Sequence, residues 1–392
     1  MFLPSLDSGS AGTLTGLAAT ILSDMVGAPP AELTRVTGPA LRLNGPSGLG
    51  TAALRISPPS VPAAVPPAPD RGRPELFCPG PVRDDPALGE EVNDRVVEWA
   101  EQVGIYPGRL DRLRAGNFGR LIMLAHPATS DPDRLLAATK CVVAEWAADD
   151  YMVDEVSLGA DPTIVGSRLA KLHVIVDPAR LPARYAPQLD QYRREEPIAT
   201  AFRSAMQHLS RYVSVPQLAR FQHQMSILFV AWNQEADWHV NRRTPPVWEY
   251  LVQRHLNSYL PPMILVDAVA GYELSPEEFF HPLVRRAFTT AGLAAVLLND
   301  IYSGAQESDT DFNLPRVIAA EHNCALEEGI TRTVEIHNEL MHEFVADAVT
   351  LSLTGSPMLR RFLADTWAWL GGSREWHATT ARYHKQQGAD PA

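Results

Sequence analysis

Helical periodicity is the feature that most constrains what this chain can fold into. Downstream of Phe77, apolar residues recur at intervals of three and four positions, whereas the alternating pattern of a strand is scarce. The segments predicted to be helical are 88–104, 109–126, 133–150, 162–176, 188–211, 216–241, 246–272, 283–305, 313–353, 356–370 and 374–385. No strand–helix–strand pattern and no glycine-rich phosphate loop after a strand is present, so the predicted fold class is all-α, with about ten or more helices.

Proline divides the chain into two parts. Of the 33 prolines, 15 fall within residues 1–86, and the first 76 residues contain a single aromatic side chain, Phe2. A segment of this composition cannot bury enough apolar surface to offset the entropy lost on ordering it. We therefore predict a disordered, Pro-rich tail over residues 1–76 and a folded helical domain over residues 77–392.

The charge and the cysteine content exclude several classes of protein. The formal net charge is −12, which disfavours nucleic acid and anionic membranes as partners because both are polyanions. The three cysteines, Cys78, Cys141 and Cys324, are widely spaced, which argues against a disulfide framework and for a reducing, cytoplasmic location. The apolar run LTGLAATIL near the N-terminus is too short to span a membrane, so neither a signal peptide nor a membrane span is expected.

An acidic cluster follows one of the predicted apolar helices. Segment 141–155 reads CVVAEWAADDYMVDE, and its carboxylates include Asp149, Asp150 and Asp154. Carboxylates clustered at the C-terminus of a helix repel one another and face the negative end of the helix dipole. A solvated acidic turn would account for the cluster. A metal site at the mouth of a cavity would also account for it, because Mg²⁺ would stabilise the carboxylates there.

A second polar strip continues the apolar run AGLAAVLL. Asn299, Ser303 and Glu307 stand at positions i, i+4 and i+8, so a helix places their oxygen atoms along one face. Amide, hydroxyl and carboxylate oxygens are hard ligands that suit Mg²⁺ and leave positions for water and phosphate. An ordinary polar stripe has the same spacing, but Asp300 beside Asn299 extends a polar strip from a buried face, which favours a site.

Together the two motifs resemble those of a known family. DDYMVDE is similar to the aspartate-rich motif of bacterial class I terpene synthases, and NDIYSGAQE resembles their second metal motif. The resemblance covers residues 77–390 and implies a single-domain helical bundle around a central apolar cavity. It further implies an isoprenoid diphosphate substrate and about three Mg²⁺ ions held by the two motifs. Asp149 would then serve catalysis as a metal ligand.

Three weaker marks support the same resemblance. Arg254, in WEYLVQRHLNSYL, matches the position of the family's diphosphate-sensing arginine. Asn257 and Ser258 match the positions just after it, where a backbone carbonyl faces the carbon that ionises. Arg382 and Tyr383, in WHATTARYH, resemble the family's C-terminal pair that donates hydrogen bonds to diphosphate. The resemblance therefore implies catalytic or substrate-binding roles for all five residues.

Within the family, the chain looks similar to one actinobacterial subgroup, the 2-methylisoborneol synthases. This resemblance is carried by the Pro-rich tail and by the segments CPGPVRDDPALGEEVNDRVVEWAEQVGIYPGRLDRLRAGNFGRL and LGADPTIVGSRLAKLH. The chain differs at Gln306, where many relatives have Lys. It implies cyclisation of 2-methylgeranyl diphosphate to 2-methylisoborneol, a functional link to a geranyl diphosphate 2-C-methyltransferase, and a possible homodimer. A methylated olefin of the 2-methylenebornane type, or turnover of geranyl or farnesyl diphosphate, stays open as an alternative.

A carbocation formed from such a substrate needs walls that neither react with it nor admit bulk water. Aromatic faces carry negative quadrupole density, which stabilises a cation. Taken alone, each candidate for this lining is more often core packing. The candidates are Phe118, Trp146, Phe229, Trp232, Trp369 and Trp376.

Other classes of all-α protein remain as alternatives. Glu339 and His342 form half of a di-iron motif, but the second E-x-x-H that a di-iron bundle needs is missing, so we expect both side chains on a polar helix face. A prenyl-chain elongating enzyme would carry a second aspartate-rich motif instead of NDxxSxxxE. A non-catalytic helical scaffold would release no diphosphate and would be indifferent to Asn299→Ala.

Overall fold

The computed structural model of this chain describes Leu22 and residues 74–304 and 312–381. Its helices are α1 Pro86–Val103, α2 Leu110–Gly116, α3 Phe118–Ala125, α4 Pro132–Asp149, α5 Val165–Val176, α6 Ala186–Glu195, α7 Pro197–Leu209, α8 Val215–Asn241, α9 Val247–Leu256, α10 Leu260–Met263, α11 Val266–Val269, α12 Pro276–Phe279, α13 Pro282–Ser303, α14 Leu314–His322, α15 Leu326–Thr354 and α16 Pro357–Thr379. These residues contain no strand, which confirms the predicted all-α fold.

Asparagines in the left-handed region divide two of the predicted helices. Asn117 has a φ of 52°, and its side chain caps α3 by accepting a hydrogen bond from the backbone N–H of Arg120 at 3.3 Å. The predicted helix 109–126 therefore becomes α2 and α3. Asn323, with a φ of 51°, ends α14 and divides the predicted helix 313–353. Asparagine tolerates this conformation better than most residues, which periodicity alone does not reveal.

Prolines begin helices here instead of interrupting them. The predicted helix 246–272 is broken at residues 257–259, and Pro261–Pro262 occupy the first turn of α10. Pro197 likewise starts α7 and so divides the predicted helix 188–211. The first turn of a helix tolerates proline because its backbone N–H groups have no partner within the helix.

The last helix is longer than predicted. The segments 356–370 and 374–385 were expected to be separate, but α16 runs through Gly371 and Gly372 without a break. A Cβ atom on Gly371 would collide with the carbonyl oxygen of Gly80, and one on Gly372 would collide with the backbone of α3. These glycines therefore serve close packing, and they do not end the helix.

The site is positioned by helices that share one large core. Helix α4 packs against α1, α3 and α7, and α13 packs against α15 and α16. The π-helical turn Asp150–Asp154 follows α4 directly. Helices α4, α8, α9 and α13 thereby bring their polar ends together around one cavity.

The segment before α1 is held against α15 and α16. The side chain of Asn338 accepts a hydrogen bond from the backbone N–H of Phe77 at 2.8 Å and donates one to the carbonyl of Glu75 at 2.8 Å. Arg374 donates to the carbonyl of Cys78 at 2.7 Å. Side chains from the C-terminal helices thus fix this segment through its backbone.

The predicted tail over residues 1–76 falls mostly outside the described residues. Leu22 is an exception, because it is helical and fully buried in the main core. It belongs to the apolar run that composition alone assigned to the disordered tail. In the part of the chain that the structure describes, no helix is long and apolar enough to cross a membrane.

Candidate active site

A cavity of about 550 Å³ opens between α4, α8, α9 and α13. Residues from each of the two predicted metal motifs and the predicted diphosphate sensor meet in its walls. The predicted site residues that line it are Trp146, Asp149, Asp154, Trp232, Arg254, Asn257, Ser258, Asn299 and Ser303. The sequence therefore identified side chains from four helices that the fold brings to one place.

A π-helical turn explains the spacing of the first motif. Asp149 ends α4, and the following turn has the wide hydrogen bond from the N–H of Glu155 to the carbonyl of Asp150, at 2.9 Å. In an α-helix, residues five positions apart differ by about 140° around the axis. A π turn bonds residues i and i+5 and brings such residues more nearly onto one face. Asp149 and Asp154 can therefore both line the cavity.

The structure places Asp150, the remaining predicted metal ligand of the first motif, behind the cavity wall. Asp150 is buried and does not belong to the cavity wall. Its carboxylate accepts a hydrogen bond from the hydroxyl of Tyr106 at 2.6 Å. The reason is geometric, because neighbouring residues on a helix point about 100° apart, and Asp149 occupies the cavity side.

Burial and neighbouring negative charges disfavour the ionised form of the carboxylates in the cavity wall. Burial, and then the negative charges of Glu235 and Asp150, hold the pKa of Asp149 well above its usual range, while Arg254 opposes the shift. Burial alone raises the pKa of Glu145 to about 8. A divalent cation at this place would stabilise the ionised carboxylates.

Glu145 and Glu235 line the cavity although sequence reasoning missed both. Glu145 lies four residues before Asp149 on α4, so helical spacing from the acidic motif could have found it. Glu235 on α8 accepts hydrogen bonds from the side-chain amides of Gln253 at 2.9 Å and of Asn257 at 3.3 Å. No local motif marks Glu235, because its partners come from a different helix.

The second motif is oriented from behind by a histidine. Nδ1 of His377 lies 2.8 Å from the carbonyl oxygen of Ser373, which can only accept, so Nδ1 carries the proton. Nε2 then accepts from the side-chain amide of Asn299 at 3.2 Å and from the hydroxyl of Tyr259 at 3.1 Å. The amide nitrogen of Asn299 therefore points to His377 and its oxygen points away from it.

Ser303 is the last residue of α13 and is buried at the cavity wall, one helical turn beyond Asn299. This arrangement places both side chains on one face of the helix, as the spacing predicted. Glu307, the third predicted ligand of this motif, lies outside the described residues, as do Arg382 and Tyr383.

Arg254 is held by a buried pair of side chains. Its Nη2 lies 2.6 Å from a carboxylate oxygen of Asp300, and its Nε donates to the hydroxyl of Tyr250 at 2.8 Å. The hydroxyl of Tyr250 donates in turn to Asp300 at 2.9 Å. Burial, the largest cause, raises the pKa of Tyr250 well above its usual range, so this side chain stays a phenol at neutral pH.

The break between α9 and α10 also faces the cavity. Asn257 ends α9, and Ser258 follows it with its hydroxyl 3.4 Å from the carbonyl oxygen of His255. Both residues line the cavity. A helix break exposes backbone groups that an uninterrupted helix would pair internally, which makes them available to a ligand.

Two of the six predicted aromatic residues form the cavity wall, and the other four lie behind it. Trp146 and Trp232 line the cavity, together with Tyr259 and Phe312, which the sequence reasoning did not select. The rings behind them lie at centroid distances of 5.0 Å (Phe118 to Trp146), 6.2 Å (Trp376 to Trp146), 5.6 Å (Phe229 to Trp232) and 5.6 Å (Trp369 to Tyr259). Spacing identifies a buried face but not which ring reaches the cavity.

The alternative di-iron site finds no support. Glu339 and His342 are exposed, and the ring of His342 stacks on Phe77 at a centroid distance of 4.3 Å. Their predicted position on an outer helix face is confirmed. In the described part of the chain, no three His, Cys, Asp or Glu side chains lie close enough together to hold a metal ion by themselves.

The donors that face the cavity fit a hard divalent cation in company with phosphate oxygens. They are carboxylates on the side of α4 and an amide and a hydroxyl on the side of α13. Arg254 adds a positive charge at the same cavity, and aromatic faces form its apolar wall. The arrangement can bind a polyphosphate at its polar end and shelter an apolar, electron-deficient group beside it.

Comparison with known proteins agrees with this geometry. Residues 140–343 match the family described as terpene synthase family 2, C-terminal metal binding. The chain is 38% identical to the 2-methylisoborneol synthase of Saccharopolyspora erythraea over 330 residues, which cover 82% of this chain and 92% of the relative. It is 34% identical to that of Streptomyces coelicolor over 372 residues, covering 91% and 84% of the two chains.

Solved structures give the same result. The crystal structure of 2-methylisoborneol synthase from Streptomyces coelicolor with Mg²⁺ and 2-fluoroneryl diphosphate aligns with a TM-score of 0.76 at 33% identity, covering 81% of this chain and 99% of that one. Its complex with Mg²⁺ and geranyl-S-thiolodiphosphate aligns with a TM-score of 0.73 at 34% identity, covering 81% and 99%. The chain therefore belongs to the terpene synthase family and is a terpene cyclase similar to the bacterial 2-methylisoborneol synthases.

Proposed function

We propose that this enzyme cyclises 2-methylgeranyl diphosphate to 2-methylisoborneol and releases diphosphate, with Mg²⁺ as its cofactor. The observation that carries the proposal is the meeting of two sets of oxygen donors and Arg254 above an aromatic wall in one cavity of about 550 Å³. This volume lies in the range of pockets that enclose small organic ligands. The names of the relatives that cover most of this chain support the choice of substrate.

The polar end of the cavity would hold the leaving group. Asp149 and Asp154 on one side, and Asn299, Ser303 and Glu307 on the other, would bind about three Mg²⁺ ions. When bound, these ions supply positive charge that stabilises the departing diphosphate. Residues behind the wall orient the donors, as His377 does for Asn299, so that diphosphate would complete the site.

Arg254 would sense the diphosphate through charge-assisted hydrogen bonds, with Arg382 and Tyr383 adding donors from the C-terminal segment. The bond between the allylic carbon and the diphosphate oxygen then breaks, and its electron pair leaves with the diphosphate. The break at Asn257 and Ser258 would face the resulting cation with its backbone groups.

The apolar end of the cavity would guide the cation. Trp146, Trp232 and Tyr259 present rings to the cavity and exclude bulk water from the reacting chain. The allylic cation would isomerise and cyclise through a terpinyl-type to a bornyl-type cation. Addition of one water molecule and loss of its proton gives the alcohol, whereas direct loss of a proton gives an olefin.

The proposed function is accompanied by expectations about the supply of the substrate, the location of the enzyme and its oligomeric state. Because it carries a methyl group at C2, a geranyl diphosphate 2-C-methyltransferase must supply it, and we place both enzymes in the cytoplasm. A homodimer is the oligomeric state that we expect. Sedimentation of the purified enzyme tests that state.

Product analysis is the direct test. The purified enzyme with Mg²⁺ should turn over 2-methylgeranyl diphosphate faster than geranyl or farnesyl diphosphate, and gas chromatography with mass spectrometry should show 2-methylisoborneol as the main product. A dominant sesquiterpene from farnesyl diphosphate would overturn the substrate. A methylated olefin in place of the alcohol would overturn the water-capture step and favour the 2-methylenebornane alternative.

A further inference from the structure

Arg254 extends to the cavity from a group of buried side chains, and the residue at the centre of that group, Asp300, has had no role so far. Asp300 follows Asn299 on α13 and is fully buried, while Arg254 retains 12% exposure of its side chain at the cavity. Neighbouring helical residues point about 100° apart, so Asn299 faces the cavity and Asp300 lies behind it. One helix therefore carries a predicted metal ligand and the partner of the predicted diphosphate sensor.

Asp300 uses both of its carboxylate oxygens. Oδ1 accepts from Nη2 of Arg254 at 2.6 Å. Oδ2 accepts from the hydroxyl of Tyr250 at 2.9 Å and from the backbone N–H of Leu314 at 3.0 Å. These bonds join α9, α13 and the first residue of α14 at a single buried carboxylate.

The orientation of the guanidinium follows from these contacts. Nη2 of Arg254 is fixed by Asp300, and Nε is fixed by the hydroxyl of Tyr250 at 2.8 Å. Two bonds to one planar group fix both its position and the direction of its plane. The direction of the long Arg254 side chain at the cavity therefore depends on Asp300.

We propose that Asp300, together with Tyr250, is a positioning residue that aims Arg254 at the diphosphate and ties its position to the helix carrying Asn299. The proposal rests on the function proposed above, because it needs an anionic ligand in the cavity. Asp300 does not touch that ligand. Its contribution is preorganisation, which lowers the entropy cost of forming the complex.

The test compares diphosphate binding in four proteins. Isothermal titration with inorganic pyrophosphate and Mg²⁺ would be run on the wild type, Asp300→Asn, Tyr250→Phe and Asp267→Asn. Asp267 is the matched control, because it forms an equally short pair with Arg220, 2.6 Å and fully buried, outside the cavity wall. Each variant would also be assayed for kcat and KM with 2-methylgeranyl diphosphate, and for inhibition by geraniol, which lacks the diphosphate.

We expect Asp300→Asn to weaken pyrophosphate binding and raise KM by about 10- to 100-fold, the range seen for residues that orient a ligand from behind. Tyr250→Phe should weaken binding about fivefold, because Arg254 loses its bond from Nε while its pair with Asp300 remains. Geraniol inhibition should be unchanged in both. Asp267→Asn should melt at a lower temperature and bind pyrophosphate as the wild type does.

Several outcomes would overturn the proposal. The first is an Asp300→Asn variant that binds pyrophosphate as tightly as the wild type. The second is an equal loss of pyrophosphate and geraniol binding in that variant, because such a loss would indicate a merely structural role. If Asp300→Asn does not fold, wild-type affinity in Tyr250→Phe refutes the proposal. Failure of the wild type itself to bind pyrophosphate with Mg²⁺ would instead refute the proposed function, and the inference with it.

Discussion

Two buried arginine–aspartate pairs in this enzyme have the same separation and different surroundings. The cavity pair is Arg254 and Asp300, and the packing pair is Arg220 and Asp267; each has a nitrogen–oxygen distance of 2.6 Å. A tyrosine donates to a buried aspartate near each pair: Tyr250 donates to Asp300, and Tyr272 donates to Asp365. Distance and burial alone therefore do not distinguish the pair that faces the cavity from the pair that serves packing.

Their other contacts distinguish them. Asp267 also accepts from the backbone N–H groups of Ala268 at 2.8 Å and of Leu274 at 3.1 Å, so it fixes the turn after α11. The guanidinium of Arg220 lies 4.7 Å from the ring centre of Phe279. Within the described residues, Nε and Nη1 of Arg220 have no hydrogen-bond partner.

The packing pair is thus enclosed by protein on all sides, whereas Arg254 of the cavity pair looks onto a cavity. A buried pair is costly to assemble, and removal of one partner leaves an uncompensated charge. The comparison suggests that such a pair indicates a functional site only where one partner faces a space that a ligand can fill.

The largest effect is expected at the cavity, from Asp149→Asn. The substitution removes a predicted metal ligand, so kcat with 2-methylgeranyl diphosphate should fall about 10³-fold, which corresponds to about 4 kcal/mol of lost transition-state stabilisation. Because Asp149 is buried near Glu235 and Asp150, the substitution should leave the melting temperature in EDTA unchanged or raise it. Steady-state kinetics and calorimetry measure the two quantities. Full activity in this variant would refute the metal assignment.

The next effect is expected at the packing pair, from Asp267→Asn. It leaves Arg220 without its anionic partner in a fully buried place, which should lower the free energy of unfolding by about 3 kcal/mol. Urea unfolding measures that loss. KM should not change in the protein that remains folded. A raised KM at unchanged stability would show that the two pairs are not separate in function.

A smaller effect on metal binding is expected from His377→Phe. The phenyl ring keeps most of the volume but cannot accept from the amide of Asn299, which lies 3.2 Å from Nε2 of His377. The amide then loses this orienting contact, and the apparent affinity for Mg²⁺ in the presence of pyrophosphate should fall about tenfold. Activity measured against Mg²⁺ concentration tests this, with Tyr259→Phe as a control that removes only the other donor to the same ring nitrogen. An unchanged Mg²⁺ requirement would contradict the role of His377.

The sequence predicted the cavity better than it predicted the layer behind it. The two motifs predict Asp149, Asn299 and Ser303, the family resemblance predicts Arg254, and all four line one cavity. Helical spacing made this possible for the second motif, because positions four apart share a face. In the first motif, the π turn beyond Asp149 allows Asp149 and Asp154 to face the same cavity.

The residues that sequence reasoning missed or misplaced depend on contacts between distant helices. His377 reaches Asn299 from α16, and Glu235 reaches Asn257 from α8. Periodicity gives the buried face of each helix but not which helix packs opposite to it. For the same reason the sequence does not show which candidate ring reaches the cavity, and Phe118 and Trp376 pack against Trp146.

The most gradual effect, and the sharpest contrast between the two regions, concerns pH and Asp365 beside the packing pair. Asp365 accepts from the hydroxyl of Tyr272 at 2.8 Å, and burial, the largest cause, raises its pKa to about 7. Between about pH 4 and pH 7 the folded state therefore keeps a proton that the unfolded state has lost, so stability falls as pH rises through this window. One proton corresponds to at most about 1.4 kcal/mol per pH unit.

Buried His126, whose pKa burial lowers to about 3, acts in the opposite direction. The informative quantity is therefore the difference in stability between the wild type and Asp365→Asn. In urea unfolding at pH 5, 6, 7 and 8, the wild type should lose stability relative to the variant up to about pH 7 and run parallel to it above. Parallel curves over the whole range would mean that Arg361, 3.7 Å from Asp365, keeps this carboxylate ionised, and the packing region would then hold a second compensated pair.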